Sequence, residues 1–173
     1  MEAGRITTDG RREIYFYGAR AKGFEAAVCS IMGNFSGYKF DLGKQYEPDW
    51  NQYRNVLYPS DESMERVKNM DVLEVLEEHG DTLEAVRDVH HWIYFKSSND
   101  RKLFGEQVRQ LGYEVEDESE DLTHESPYSI QITRDQSVRQ DKIDDAVLQL
   151  FRLAKELNGE YDGWETQVIA TKN

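Results

Sequence analysis

Two spacings of apolar residues, two apart and three to four apart, take turns along this chain and predict the order of its elements. Residues 13–17 form an apolar and aromatic run that reads as a strand, and Phe24, Ala27, Val28 and Ile31 then recur on one face of a helix. Tyr38, Phe40 and Leu42 alternate with polar residues after Gly37, which predicts a half-buried strand. Residues 51–58 predict another, stopped at Pro59 because proline has no N–H to pair. Ser60 is placed to cap a helix ending at Gly80. Asp71 and Glu74 repeat a capping pattern inside it, so a break near Asn69 is expected.

The second half repeats this order. Residues 91–96 read as a strand, and Ser98 caps a helix whose inner face is Phe104, Val108 and Leu111, closed by Gly112. A strand begins at Tyr113 and runs into an acidic loop. Tyr128, Ile130 and Ile132 alternate as a strand, while Ile143, Val147, Leu150, Ala154 and Leu157 stripe a long helix stopped at Gly159. Residues 163–170 close the chain as a last strand.

The recurrence of Ile14-Tyr15-Phe16 as Ile93-Tyr94-Phe95, and of Gly37-Tyr38 as Gly112-Tyr113, marks an internal repeat of about 75 to 80 residues. The fold class expected is α+β: two tandem ferredoxin-like βαββαβ halves, each an antiparallel sheet with helices on one face. Residues 1–12, which lack any period, are expected to be a flexible arm. Residues 13–89 then make the first half and residues 90–173 the second.

Composition narrows the function. Of 173 residues, 34 are Asp or Glu and 21 Lys or Arg, a formal charge of −13. That balance disfavours direct contact with nucleic-acid phosphates or anionic membranes and favours a basic partner. No apolar run is long enough to span a bilayer, and the first twelve residues lack the apolar core of a signal peptide, so a cytoplasmic location is expected. The single cysteine, Cys29, has no partner for an internal disulfide, in keeping with a reducing compartment.

Candidate chemistry is sparse. His90 and His91, adjacent on a strand, point to opposite faces and do not chelate one ion together; His79 suits the C-terminal end of a helix dipole, and His124 lies in the acidic loop. No zinc spacing, phosphate-binding glycine loop or nucleophile elbow occurs, so no catalytic residue, metal or cofactor is expected. Two segments stand out. Residues 114–125 hold seven carboxylates and no lysine or arginine, which is either a solvated loop or an attractive surface for a cationic segment. Gly159-Glu160-Tyr161-Asp162-Gly163-Trp164-Glu165 sets two large aromatics among three acids; they either cover the edge of the core or receive Arg and Lys through ion pairs and cation–π contact.

The stretch from His91 to Ile169 resembles the RraB family, regulators of ribonuclease E activity. The likeness runs through Asp100-Arg101 with Phe104, Leu111-Gly112-Tyr113-Glu114-Val115, Pro127-Tyr128, Ile143-Asp144 and, above all, Glu160-Tyr161-Asp162-Gly163-Trp164. The preceding stretch, from about Arg12 to Phe95, with Gly37-Tyr38-Lys39-Phe40-Asp41 and Asn55-Val56-Leu57-Tyr58-Pro59, resembles an uncharacterised domain fused ahead of RraB-like domains in bacterial proteins. The resemblance implies a small acidic cytoplasmic bacterial protein of ferredoxin-like α+β fold, without catalysis, that binds ribonuclease E outside its catalytic core and restrains RNA decay.

The expectation is therefore a non-catalytic regulator that binds a basic segment of a ribonuclease or another RNA-processing protein. Glu114, Glu116, Asp117, Glu118, Asp162 and Glu165 would supply attraction, and Tyr161 and Trp164 the aromatic anchors. The alternative is a small-ligand binder or hydrolase whose site lies in the cleft between the halves, with a carboxylate such as Glu165 as acid or base.

Overall fold

Asp9 and Gly10, both with positive φ, turn the first strand back on the second. Such a pair matches the twist of a two-residue hairpin. A computed structural model describes residues 2–170, and in it β1 (Glu2–Thr8) pairs antiparallel with β2 (Arg11–Phe16). The expected arm, residues 1–12, is therefore mostly hairpin. The helix α1 (Phe24–Met32) follows where its spacing predicts, but none of its residues is buried.

The strands expected around Tyr38–Leu42 and over residues 51–58 do not form. Residues 38–47 have no regular structure, and Tyr53–Leu57 close a turn of π-helix in which the Tyr58 N–H donates to the Tyr53 carbonyl. Aromatic packing replaces strand pairing here. Tyr17 stacks on Trp50 with ring centroids 4.4 Å apart, Tyr53 meets both edge-on, and the Tyr53 N–H donates to the Tyr17 hydroxyl.

The chain divides into two compact units at Pro59 and Ser60, so the helix after Pro59 belongs to the second unit, ahead of the expected boundary at residue 90. That helix, α2 (Asp61–Glu78), starts where the Ser60 hydroxyl accepts from the Ser63 N–H. It does not break near Asn69. It runs unbroken from Asp61 to Glu78, so Asp71 and Glu74 lie inside a continuous helix, and the Asn69 side chain bonds to Asp144 and Trp164.

After α2 come β3 (Arg87–Phe95), α3 (Ser98–Gln110), β4 (Glu114–Glu120), β5 (Tyr128–Gln136), α4 (Gln140–Glu156) and β6 (Gly159–Thr166). Ser97, not Ser98, caps α3 by accepting from the Asp100 N–H. The acidic segment expected to be a loop is largely strand β4, and the closing strand starts at Gly159 rather than Gly163. All pairings are antiparallel, in the order β4-β5-β3-β6. The β-α-β-β-α-β order is thus present once. The described residues of the first unit hold two strands and one α-helix, so the expected pair of ferredoxin-like halves is corrected to one such unit that follows a hairpin unit in the sequence.

The core lies on one side of this four-stranded sheet. Along β3 the residues Arg87, Val89, His91, Ile93 and Phe95 are buried while those between them are not, the alternation of a strand covered on one face. Against that face pack Phe104 and Val108 of α3 and Ile143, Val147, Leu150 and Ala154 of α4, and Leu73 and Leu76 of α2, which packs on α4, join the same core. One glycine is required by contact: a Cβ on Gly159 would sit 2.3 Å from the Phe95 ring.

Candidate protein-binding face

The other side of the sheet is covered by none of the unit's helices, and the strand register sets out what it carries. The β3 residues between the buried ones are Asp88, His90, Trp92 and Tyr94. Opposite them on β5 stand Asp135, Thr133, Gln131 and Ser129, and on β6 His90 meets Glu165, Trp92 meets Gly163 and Tyr94 meets Glu160. On β4, Glu114 pairs with Thr133 and Asp117 with Gln131, while Glu116 sits in a bulge and accepts from the His90 ring at 2.8 Å. Asp162 occupies the matching bulge in β6 and is exposed.

The two acidic segments singled out in the sequence therefore meet on one face, from opposite edges of the sheet. Between them stand the half-buried rings of His90, Trp92 and Tyr94, with His124 5.5 Å from Tyr94. None of the face residues named above is a lysine or arginine. Repulsion is already felt there. The carboxyl of Asp135 is held above its ordinary value by its hydrogen bond to Asp88 and the charges of Asp88 and Glu114.

Sequence reasoning placed eight residues in the site, and the structure brings five together. Glu114, Glu116, Asp117, Asp162 and Glu165 belong to this face or its bulges. Glu118 lies opposite Ile130 on the helix side, where Arg101 at 3.5 Å and Arg109 at 3.9 Å pair with it. Tyr161 and Trp164 are core residues, 5% and 9% exposed. Asp88, Trp92, Tyr94, Asp135 and Glu160 were missed. The signal for Asp88, Trp92 and Tyr94 was the alternation in Asp88-Val89-His90-His91-Trp92-Ile93-Tyr94, whose even positions share one face once a strand is assumed.

What the aromatic-acidic segment builds is a buried polar network. The Trp164 indole N–H donates to Asn69 Oδ1 at 2.8 Å, Asn69 Nδ2 donates to Asp144 Oδ1 at 2.8 Å, and Arg66 closes on the other Asp144 oxygen at 3.0 Å. The hydroxyl of Tyr161 lies 2.8 Å from His91 Nδ1. His91 is fully buried, and desolvation of its charged form, aided by Arg134 and His90, lowers its pKa to about 3. Its neutral Nδ1 therefore accepts from the Tyr161 hydroxyl, which burial keeps protonated well above its usual range. A second buried pair, Asp81 with Arg87, receives the Leu83 and Ile169 N–H groups and holds the segment after β6. Arg87 lowers the Asp81 pKa to about 2.

Among the described residues no group of three or more His, Cys, Asp or Glu is placed to hold a metal ion, and no helix is long and apolar enough to cross a membrane. No curated protein matches the chain at a significant level. Residues 1–58 match a family of unknown function. Residues 66–166, from α2 to the end of β6, match the family described as Regulator of ribonuclease activity B, more than half of the chain, which therefore belongs to that family.

Proposed function

We propose that this protein is a non-catalytic regulator that binds a basic segment of a ribonuclease of the ribonuclease E type, or of another RNA-processing protein, in the cytoplasm, and restrains RNA decay. The observation that carries this reading is the meeting of carboxylates from β4 and β6 around Trp92 and Tyr94 on one uncovered sheet face, in a member of a family of ribonuclease regulators. An acidic field steers a cationic segment, and half-exposed aromatic rings add contact area and cation–π attraction once it arrives. Arginines engaged there are withheld from RNA, so regulation needs no chemistry on this chain.

Titrating the full chain into a fluorescently labelled arginine-rich peptide from outside the catalytic region of ribonuclease E, followed by the label's anisotropy, tests it. Replacing Glu116, Asp117 and Glu165 with their amides should slow association and flatten its salt dependence, because steering charges act mainly on the on-rate. Trp92→Ala should weaken binding about thirtyfold, as expected for a central aromatic anchor. Trp164→Ala provides the contrast, since its effect should come through loss of folded protein. Unchanged affinity in folded triple-amide and Trp92→Ala variants would remove the face from the mechanism.

A further inference from the structure

The first unit carries an apolar surface that its own elements leave uncovered. Ile14 and Phe16 share one side of β2 and are each 51% exposed, and the helical stripe of Phe24 and Ile31 is 40% and 59% exposed. The rings of Phe16 and Phe24 lie 5.3 Å apart, joining the strand patch and the helix patch. No residue from 2 to 59 is buried. A two-stranded hairpin is at best marginal in water by itself, so this unit lacks the burial that would hold it.

Area and charge say what covers it. Two separate compact units of about 6.9 and 13.3 kDa would expose roughly 10,400 Å² in total. The chain exposes 12330 Å², an excess of about 1,900 Å² summed over the whole chain, which leaves room for the roughly 1,000–2,500 Å² that each subunit of an obligate dimer withdraws from water. Residues 1–59 carry eight Lys or Arg and seven Asp or Glu, a net +1, whereas residues 60–173 carry 13 and 27, a net −14. Two first units therefore meet without repulsion. The hairpin also offers each copy the same unpaired strand edge, which suits a twofold contact.

We infer that the β2–α1 surface of the first unit is a dimerisation face whose occupant is the same surface of a second copy of this chain. Its salt response is opposite to that of the binding face on the second unit. Screening relieves repulsion between the two acidic units and strengthens apolar association, whereas it weakens capture of a basic segment. The two readings thus fail separately.

Sedimentation equilibrium of the full chain over a wide concentration range, at low and high salt, is the test. The expected result is a mass of twice 20.2 kDa, with dimerisation tighter at high salt. Phe16→Asp and Ile31→Asp should each weaken it about thirtyfold or more. Both sites are half exposed, and a retained near-ultraviolet signal from the Tyr17–Trp50 stack, which belongs to the first unit, identifies a variant whose first unit still folds. Hydrogen exchange on the unmutated chain gives a second measurement: residues 13–32 should become more protected as concentration rises. A monomer under every condition, exchange independent of concentration, or undiminished dimerisation of a folded Phe16→Asp chain would each overturn the inference.

Discussion

Residues 2–59 hold the larger share of apolar side chains, 25 of 58 against 40 of 114 in the unit that follows them, and only the second builds a core. In the second unit each apolar stripe finds a counterpart: the alternate residues of β3 and β5 meet Phe104, Val108, Ile143, Val147 and Leu150, all fully buried. In the first, the stripe of α1 is drawn with the same spacing and meets only the exposed ring of Phe16, so none of it is buried. The difference teaches that amphipathic spacing sets which element forms and which way it would face; burial needs a sheet wide enough to receive it. Four strands supply that and two do not.

The largest test of this contrast is truncation of a ring in each unit. Phe104→Ala should cost about 3–5 kcal/mol of the second unit's stability in urea denaturation, the cost of an unfilled cavity. Tyr38→Ala, at a residue 72% exposed, should change stability by no more than about 0.5 kcal/mol. Equal losses would mean that the first unit has a core after all.

Buried and exposed amides sharpen it next. Asn69→Ala strands the Trp164 indole and one oxygen of Asp144 in the core and should cost about 2–3 kcal/mol. Asn34, which donates to the Ser30 and Ile31 carbonyls in solvent, should be replaceable by Ala within about 0.5 kcal/mol.

Acid should then separate the units, because all four histidines lie in the second. His91 stays neutral in the fold down to about pH 3, whereas the unfolded chain takes up its proton near 6.5. The unfolded state binds more protons in between, so stability is complete above pH 6.5 and falls as pH drops toward 3, by about 1.4 kcal/mol per pH unit from this residue. His91→Phe should remove that slope in unfolding measured between about pH 6 and 5, the range where carboxylates are still largely ionised. A slope unaltered by the substitution would show that another group carries it.

The smallest expected effect is on the binding face itself. Glu165→Gln should leave stability within about 0.5 kcal/mol and act on capture of the basic segment alone, as measured by melting and binding on the same variant. A large stability change would recast Glu165 as part of the packing.

The order of elements in the second unit was legible because β3, α3, β5 and α4 each bury one face, which writes a period into the chain. The strand β4 was not. It is an edge strand with only Val115 half-buried, so its Glu-Asp-Glu-Ser-Glu run has no alternation, and acids on an edge also serve to block unwanted pairing. The Asp9-Gly10 hairpin was readable from its turn residues, yet the strands it joins are too polar to announce themselves. Within the candidate site the acids could be picked out by density and the rings could not. Trp164 and Trp92 look alike as letters, and which side of the sheet each takes depends on register with the neighbouring strand.

By itself, then, the sequence determined the charge, the α+β order of the second unit and the two acidic segments, because composition and period are local properties. Only the tertiary structure decided that those segments meet on one face and that Trp92 and Tyr94, not Trp164 and Tyr161, stand between them. It also decided that Asn69 spends its hydrogen bonds on other helices and strands. Each of these depends on pairing between residues tens of positions apart, where a shift of one residue exchanges the two faces of the sheet.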